Sequence, residues 1–235
     1  MSLQQKIDAL GSADIDQLIA GSSVIGEDQP QSGYQGSVHV VTLDGQRVVI
    51  KSVADEKVLR WLRRWMLKNE YLVYQELAGI AGIPQCFGLI DGRHLLLEYI
   101  EGTAFRNLVF TQDDEVHARL LALIEQLHSH GVAHADLKRR DNLILSVGRE
   151  PFLVDFGTAI VRKDGFRPLN HLFFRAAKQL DYHGWFKNKY RNRSLPFDPA
   201  DEQYYRPMRL ERAARWVRRR FRGPLNALRE KIASR

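Results

Sequence analysis

The residues able to do chemistry gather in a few short stretches. HADLKRRDNLIL, at 134–145, sets two carboxylates (Asp136, Asp141), an amide (Asn142) and three cations (Lys138, Arg139, Arg140) close together, and VDFG at 154–157 adds Asp155 at the end of an apolar run. A second pair stands upstream. Across 56–78, Leu62, Met66, Glu70, Val73 and Leu77 fall on one helical face, so Glu70 interrupts an apolar stripe. An unpaired buried carboxylate is very costly, so Glu70 demands a partner. Lys51, closing the run Val48-Val49-Ile50, is the natural candidate, whereas Glu76 lies off the stripe and is expected in solvent. His128, His130 and His134 are also near one another, but neither a cysteine nor an acidic ligand set accompanies them, so they are not read as a metal site.

Positioning these groups requires a definite order of elements. Residues 1 to about 30 read as one or two short helices followed by a polar loop. SVHVVT and RVVIKSV flank Asp44-Gly45, a strong hairpin signal. A long helix over 56–78 closes at Gly79 and Gly82, strands follow at 84–90 and 94–100, and a helix over about 113–130 ends at Gly131. NLILSV and PFLVDF bracket a turn at Gly148, and helices dominate thereafter. Strands with one helix first and helices second predict an α+β protein, with an N-terminal sheet lobe and a C-terminal helical lobe.

Composition narrows the setting. The chain's 235 residues can bury one sizeable core or two small lobes around a cleft. The lone Cys86 excludes an intramolecular disulfide and fits a reducing compartment. The opening residues lack the apolar centre of a signal peptide, and no stretch approaches the roughly 20 apolar residues of a membrane span. The net charge of +7 is uneven: residues 206–235 hold 11 Lys+Arg against Glu211 and Glu230 (+9), leaving −2 for the remainder. The basicity therefore belongs to a tail, which argues against a nucleic-acid face on the main body.

Taken together, motifs and element order resemble the protein-kinase-like superfamily from about Gly33 to Gly157. Gly33-Tyr34-Gln35-Gly36-Ser37-Val38 is similar to the latter part of the glycine-rich loop, with Gln31 at the first glycine position. Lys51 stands where the strand lysine of V-A-I-K would be, with Glu70 as its helix partner, and VDFG matches D-F-G. The resemblance implies that Gly33, Gly36 and Val38 cover ATP, and that Lys51, held by Glu70, meets its α- and β-phosphates. The backbone around Glu98 and Ile100 would bond the adenine edge. It further implies that Asp136 orients an acceptor hydroxyl, that Lys138 offsets charge on the transferred group, and that Asn142 and Asp155 bind Mg²⁺. His134 is then a structural residue that holds the loop by hydrogen bonds.

The loop departs from H-R-D-L-x-x-x-N in two ways. Ala135 replaces the arginine, and the asparagine comes one position late, with Asp141 in the expected place. Asn142 is the preferred metal ligand because it directly opens LILSV, with Asp141 the alternative; the extra residue then forms a bulge. No A-P-E segment follows Gly157, and the remaining chain is too short for the usual set of C-terminal helices. That compactness resembles the RIO-type kinases and the bacterial lipopolysaccharide (Kdo-type) kinases.

These resemblances divide the chain into an N-terminal helical extension (1–30), a kinase-like N-lobe (31–100), a reduced C-lobe (101–205) and basic amphipathic helices (206–235). They imply an ATP- and Mg²⁺-dependent phosphotransferase with a hydroxyl acceptor, either a lipopolysaccharide sugar or a protein serine or threonine. A pseudokinase or nucleotide-binding scaffold is the reading from another class. The expected location is the cytoplasm. In the tail, Leu210, Ala213, Ala214, Val217 and Phe221 form a stripe among arginines, a pattern that fits either docking on the helical lobe or peripheral contact with anionic lipid.

Overall fold

A computed structural model describes residues 3–21, 23–24, 37–53, 60–191 and 196–205. Gly33 and Gly36, and the tail at 206–235, lie outside the described residues.

Alternating β-branched residues build the centre of the first half. β2 (Ser37–Leu43) and β3 (Gln46–Ser52) pair antiparallel around Asp44 and Gly45, both of which take left-handed backbone, φ 51° and 76°. That is the primed turn that Asp-Gly favours. With β1 (Ser23–Val24), β4 (Cys86–Ile90) and β5 (His94–Glu98) they form an antiparallel sheet of order β1-β2-β3-β5-β4. Its two faces serve different cores. Val48 and Ile50 of β3 and Leu96 of β5 pack with Ile7 of α1 (Leu3–Asp8) and Ile15 of α2 (Ser12–Ala20). The intervening residues, Val49, Val53, Leu95 and Leu97, face the larger core. Lys51 shares this inner face by the two-residue period of the strand.

The larger core takes in the buried side of α3 (Arg60–Glu76), including Leu67, Val73 and Tyr74. The α3 stripe lies as its spacing predicts: Glu70, Val73 and Leu77 are buried, Leu62 and Met66 partly so, and Glu76 is exposed. The same core continues into α4 (Glu115–Ser129), capped by the Asp114 carboxylate accepting from Val116 N and ended by the left-handed Gly131. It reaches α5 (Pro168–Lys189) through Trp185 and Phe186. β6 (Gly102–Ala104), β8 (Leu143–Ser146) and β9 (Pro151–Leu153) make a small sheet of order β6-β8-β9. Gly102 opens β6 in close contact with β8: a Cβ there would come 2.2 Å from Leu145 O. β7 (Val132–Ala133) pairs with β10 (Ile160–Val161) on either side of the motif loops. The whole is an α+β, bilobal, protein-kinase-like fold.

Candidate active site

The strand-borne lysine and the helix-borne glutamate meet. Lys51 Nζ donates to Glu70 Oε1 at 2.6 Å and to Asp155 Oδ1 at 3.3 Å, so one ammonium joins β3, α3 and the VDFG turn. Glu70 is buried and also accepts from the Phe156 backbone. Burial pulls the Lys51 pKa down, but the two carboxylates outweigh it and hold the ammonium above its ordinary pKa. Burial pushes Glu70 upward against the pull of Lys51. Asp155 lies below the usual carboxylate range because Lys51, and then His134, outweigh its burial. The depressed Asp155 adds stability that is lost as pH falls through its folded pKa. Raised Lys51 adds stability that is lost as pH climbs through its own.

Asp155 sits in left-handed backbone, φ 67°, a cost that a non-glycine residue bears only when its surroundings fix it. Rings supply part of that fixing. Phe156 makes an edge contact with Tyr74 of α3 at 5.1 Å and packs on His134 at 4.8 Å. His134 is fully buried and donates through Nε2 to Val154 O at 3.0 Å. It ties the loop to the strand before Asp155, the holding position expected of it.

Asp136 is part-exposed, and burial raises its pKa against the opposing charge of Arg139. Asn142 is buried at the head of β8 and donates through Nδ2 to Asp136 O at 3.1 Å. Asp141 pairs with Arg106 at 3.0 Å, while Asn142 is bound to Asp136 through its amide nitrogen, and its side-chain oxygen is not part of that bond. The extra residue does not make a bulge. A turn with Arg139 N donating to Asp136 O leads into a 3₁₀ turn over Arg140–Asn142, which takes up the added length. Lys138 is exposed on the first of these turns.

Val38, Lys51, Glu70, Asp155 and both Asp141 and Asn142 line one cavity of about 200 Å³. Glu98 and Ile100 do not line it. The Glu98 N–H donates to Gln85 O at 2.8 Å and its carboxylate accepts from Gln85 N at 2.9 Å, so both are spent on joining β5 to the approach of β4. Among the described residues, no group of three or more His, Cys, Asp or Glu could hold a metal ion. A carboxylate and an amide fit Mg²⁺ that is otherwise held by phosphates and water.

The residues overlooked in the sequence are on α5. Asp181 is fully buried; its Oδ2 accepts from His134 N and its Oδ1 from Ala135 N, each at 2.8 Å. Those bonds restrain Ala135, which is left-handed at φ 68°. One turn on, a Cβ at Gly184 would lie 2.8 Å from the Leu137 carbonyl carbon, so the glycine lets the helix press against the loop. Asn188 Nδ2 completes the contact, 3.4 Å from Leu137 O. The i, i+3, i+7 spacing of Asp181, Gly184 and Asn188 is the signal that could have found this face.

Comparison with known proteins agrees with this geometry. No family model matches the chain. A casein kinase I homolog of Kluyveromyces lactis is 31% identical over 129 residues, covering 48% of this chain and 24% of that protein. Calcium-dependent protein kinase 1 of Oryza sativa subsp. japonica is 28% identical over 147 residues, covering 57% of this chain and 28% of its own length. Serine/threonine-protein kinase 1 of African swine fever virus is 25% identical over 140 residues, covering 55% and 44% respectively. The first of these relatives is matched over only about a quarter of its length. All are protein kinases, and the likeness supports the protein-kinase-like superfamily.

Proposed function

We propose that the protein is a phosphotransferase that moves the γ-phosphate of ATP to a hydroxyl acceptor. The observation that carries this reading is the ionic junction of Lys51, Glu70 and Asp155 with Asp136 and Asn142 bonded together beside it. In this reading Lys51 orients the phosphates and Glu70 holds it aimed. Asp136 accepts the hydroxyl proton, and Lys138 faces charge developing on the transferred group. Asn142 and Asp155 would hold Mg²⁺, which when bound neutralises phosphate charge. Gly33, Gly36 and Val38 would cover the nucleotide, and the backbone around Glu98 and Ile100, apart from the Glu98 N–H already bonded to Gln85 O, would meet its base edge. We place the activity in the cytoplasm or at the inner membrane face.

Two acceptors follow from two different observations. The relatives named as serine/threonine kinases favour a protein hydroxyl. The short path from Gly157 to α5, with no long segment between, favours a reduced enzyme acting on a glycolipid sugar of the lipopolysaccharide type. Transfer from γ-labelled ATP into cellular protein and envelope-glycolipid fractions, run in parallel, separates them. Asp136→Ala and Asp155→Ala should abolish labelling of either fraction. Full ATP consumption by both variants would sink the mechanism, and Mg·ATP stabilisation without turnover on any acceptor would make the protein a pseudokinase.

A further inference from the structure

Helix α5 has two apolar faces, and among the described residues only one is covered. Phe174 and Ala177 turn inward and pack with Ala133, Ala135 and Ile160 around the motif loop. Leu169, Leu172 and Phe173 occupy another side and stay exposed, Leu169 at 69%, and Phe166 just before the helix is 94% exposed. Helix α3 repeats the arrangement. Trp61, Trp65 and Leu72 recur on the side away from Glu70, with Trp61 72% exposed. Helix α3 is tied to the segment that leads into α5, where Asn69, one turn beyond Trp65, donates to Ala159 O at 3.2 Å. From Ala159 the chain runs through β10 directly to Phe166.

Large apolar groups exposed together mark an interaction surface. The charges among them are mainly positive. From 162 to 178, Arg162, Lys163, Arg167, Arg175 and Lys178 stand against Asp164 alone, and α3 adds Arg64 and Lys68 near its tryptophans. Tyr205, where the described chain ends, stacks on Phe186 of the same α5 at 4.8 Å. The sequence beyond it brings a further eleven Lys+Arg against two Glu. Aromatic and aliphatic side chains on outer helix surfaces, set among Arg and Lys, are the composition that partitions into an anionic headgroup region.

We propose that this face, the start of α5 with Phe166 and the outer side of α3, docks on an anionic lipid bilayer. The cationic side chains would meet the headgroups, while Trp61, Trp65, Phe166, Leu169, Leu172 and Phe173 enter the interface. Phe174, next to Phe173, packs against the alanines on either side of His134. Docking would therefore put the Asp136 loop beside the membrane, where an amphiphilic acceptor would be presented to it.

The test is co-sedimentation of the full chain with vesicles of phosphatidylcholine alone and of phosphatidylcholine with phosphatidylglycerol. Binding is expected only to the anionic vesicles, and it should weaken as salt is raised. A Leu172→Asp/Phe173→Asp variant, altered only at exposed positions, should keep its melting temperature and bind at least about tenfold more weakly. Trp61→Asp/Trp65→Asp should behave alike. Equal binding to both vesicle types overturns the proposal, as does undiminished binding of both variants. So does a dimer in light scattering that the Leu172→Asp/Phe173→Asp change dissociates, which would give the face to a second copy. Vesicle binding involves no phosphotransfer, so this result is distinct from success or failure of the kinase reading.

Discussion

The two sides of the site are held by different means. On the sheet side, Lys51, Glu70 and Asp155 position one another by charge, side chain to side chain. On the helical side, the Asp136 loop is held from beneath by Asp181, whose carboxylate takes the backbone N–H groups of His134 and Ala135 as well as the buried ring of His128 at 3.1 Å. A pair of opposite charges leaves a mark at both ends of a sequence. A carboxylate that binds main chain leaves a mark at one end only, because every residue carries an amide. The second arrangement is the less legible of the two and the more demanding, since both backbone donors lose their partner together if Asp181 is changed.

This contrast sets the order of expected effects. Asp181→Ala strands the His134 and Ala135 amides in a buried site and should cost about 3–5 kcal/mol in urea unfolding, with activity lost. A loss under about 1 kcal/mol would show that the loop holds itself. Gly184→Ala drives a methyl group into the Leu137 backbone and should cost about 1–3 kcal/mol while lowering turnover through a displaced Asp136. Glu70→Gln leaves Lys51 with Asp155 and should cost about 1–2 kcal/mol, yet remove most of the stabilisation that Mg·ATP gives in a thermal melt. If instead Glu70→Gln unfolds the chain more readily than Asp181→Ala, the contrast between the two sides is reversed. Asp141→Ala should change stability by less than about 1 kcal/mol, as expected of its part-exposed pair with Arg106, and spare most activity. Asn142→Ala should abolish Mg²⁺-dependent turnover, and the opposite outcome would transfer the metal to Asp141.

A pH measurement probes the packing behind the ionic triad. Burial pushes the Cys86 thiol up to about 11, so at pH 8 only about one molecule in a thousand carries the thiolate. Iodoacetamide alkylation of the folded chain should rise about tenfold per pH unit until near pH 11. A rate that levels off by pH 9 would show β4 to be open to solvent.

Sequence pattern alone decided a good deal here. The apolar spacing of α3 required a partner for Glu70, the β-branched runs around Asp44-Gly45 dictated the hairpin, and D-F-G at the end of an apolar run located Asp155. Each depends on local periodicity or on a charge that burial leaves no alternative but to pair. Tertiary structure decided the rest. The late asparagine became a 3₁₀ turn rather than a bulge because Asn142 is tied to Asp136 on one side and to β8 on the other. Asp181 acquired its role because α5 crosses beneath residues 46 and 47 positions earlier in the chain. Glu98 turned toward Gln85, a choice set by the neighbouring strand and not by its own motif. Contacts between side chains and distant backbone depend on how elements cross, and no periodicity in the chain records that crossing.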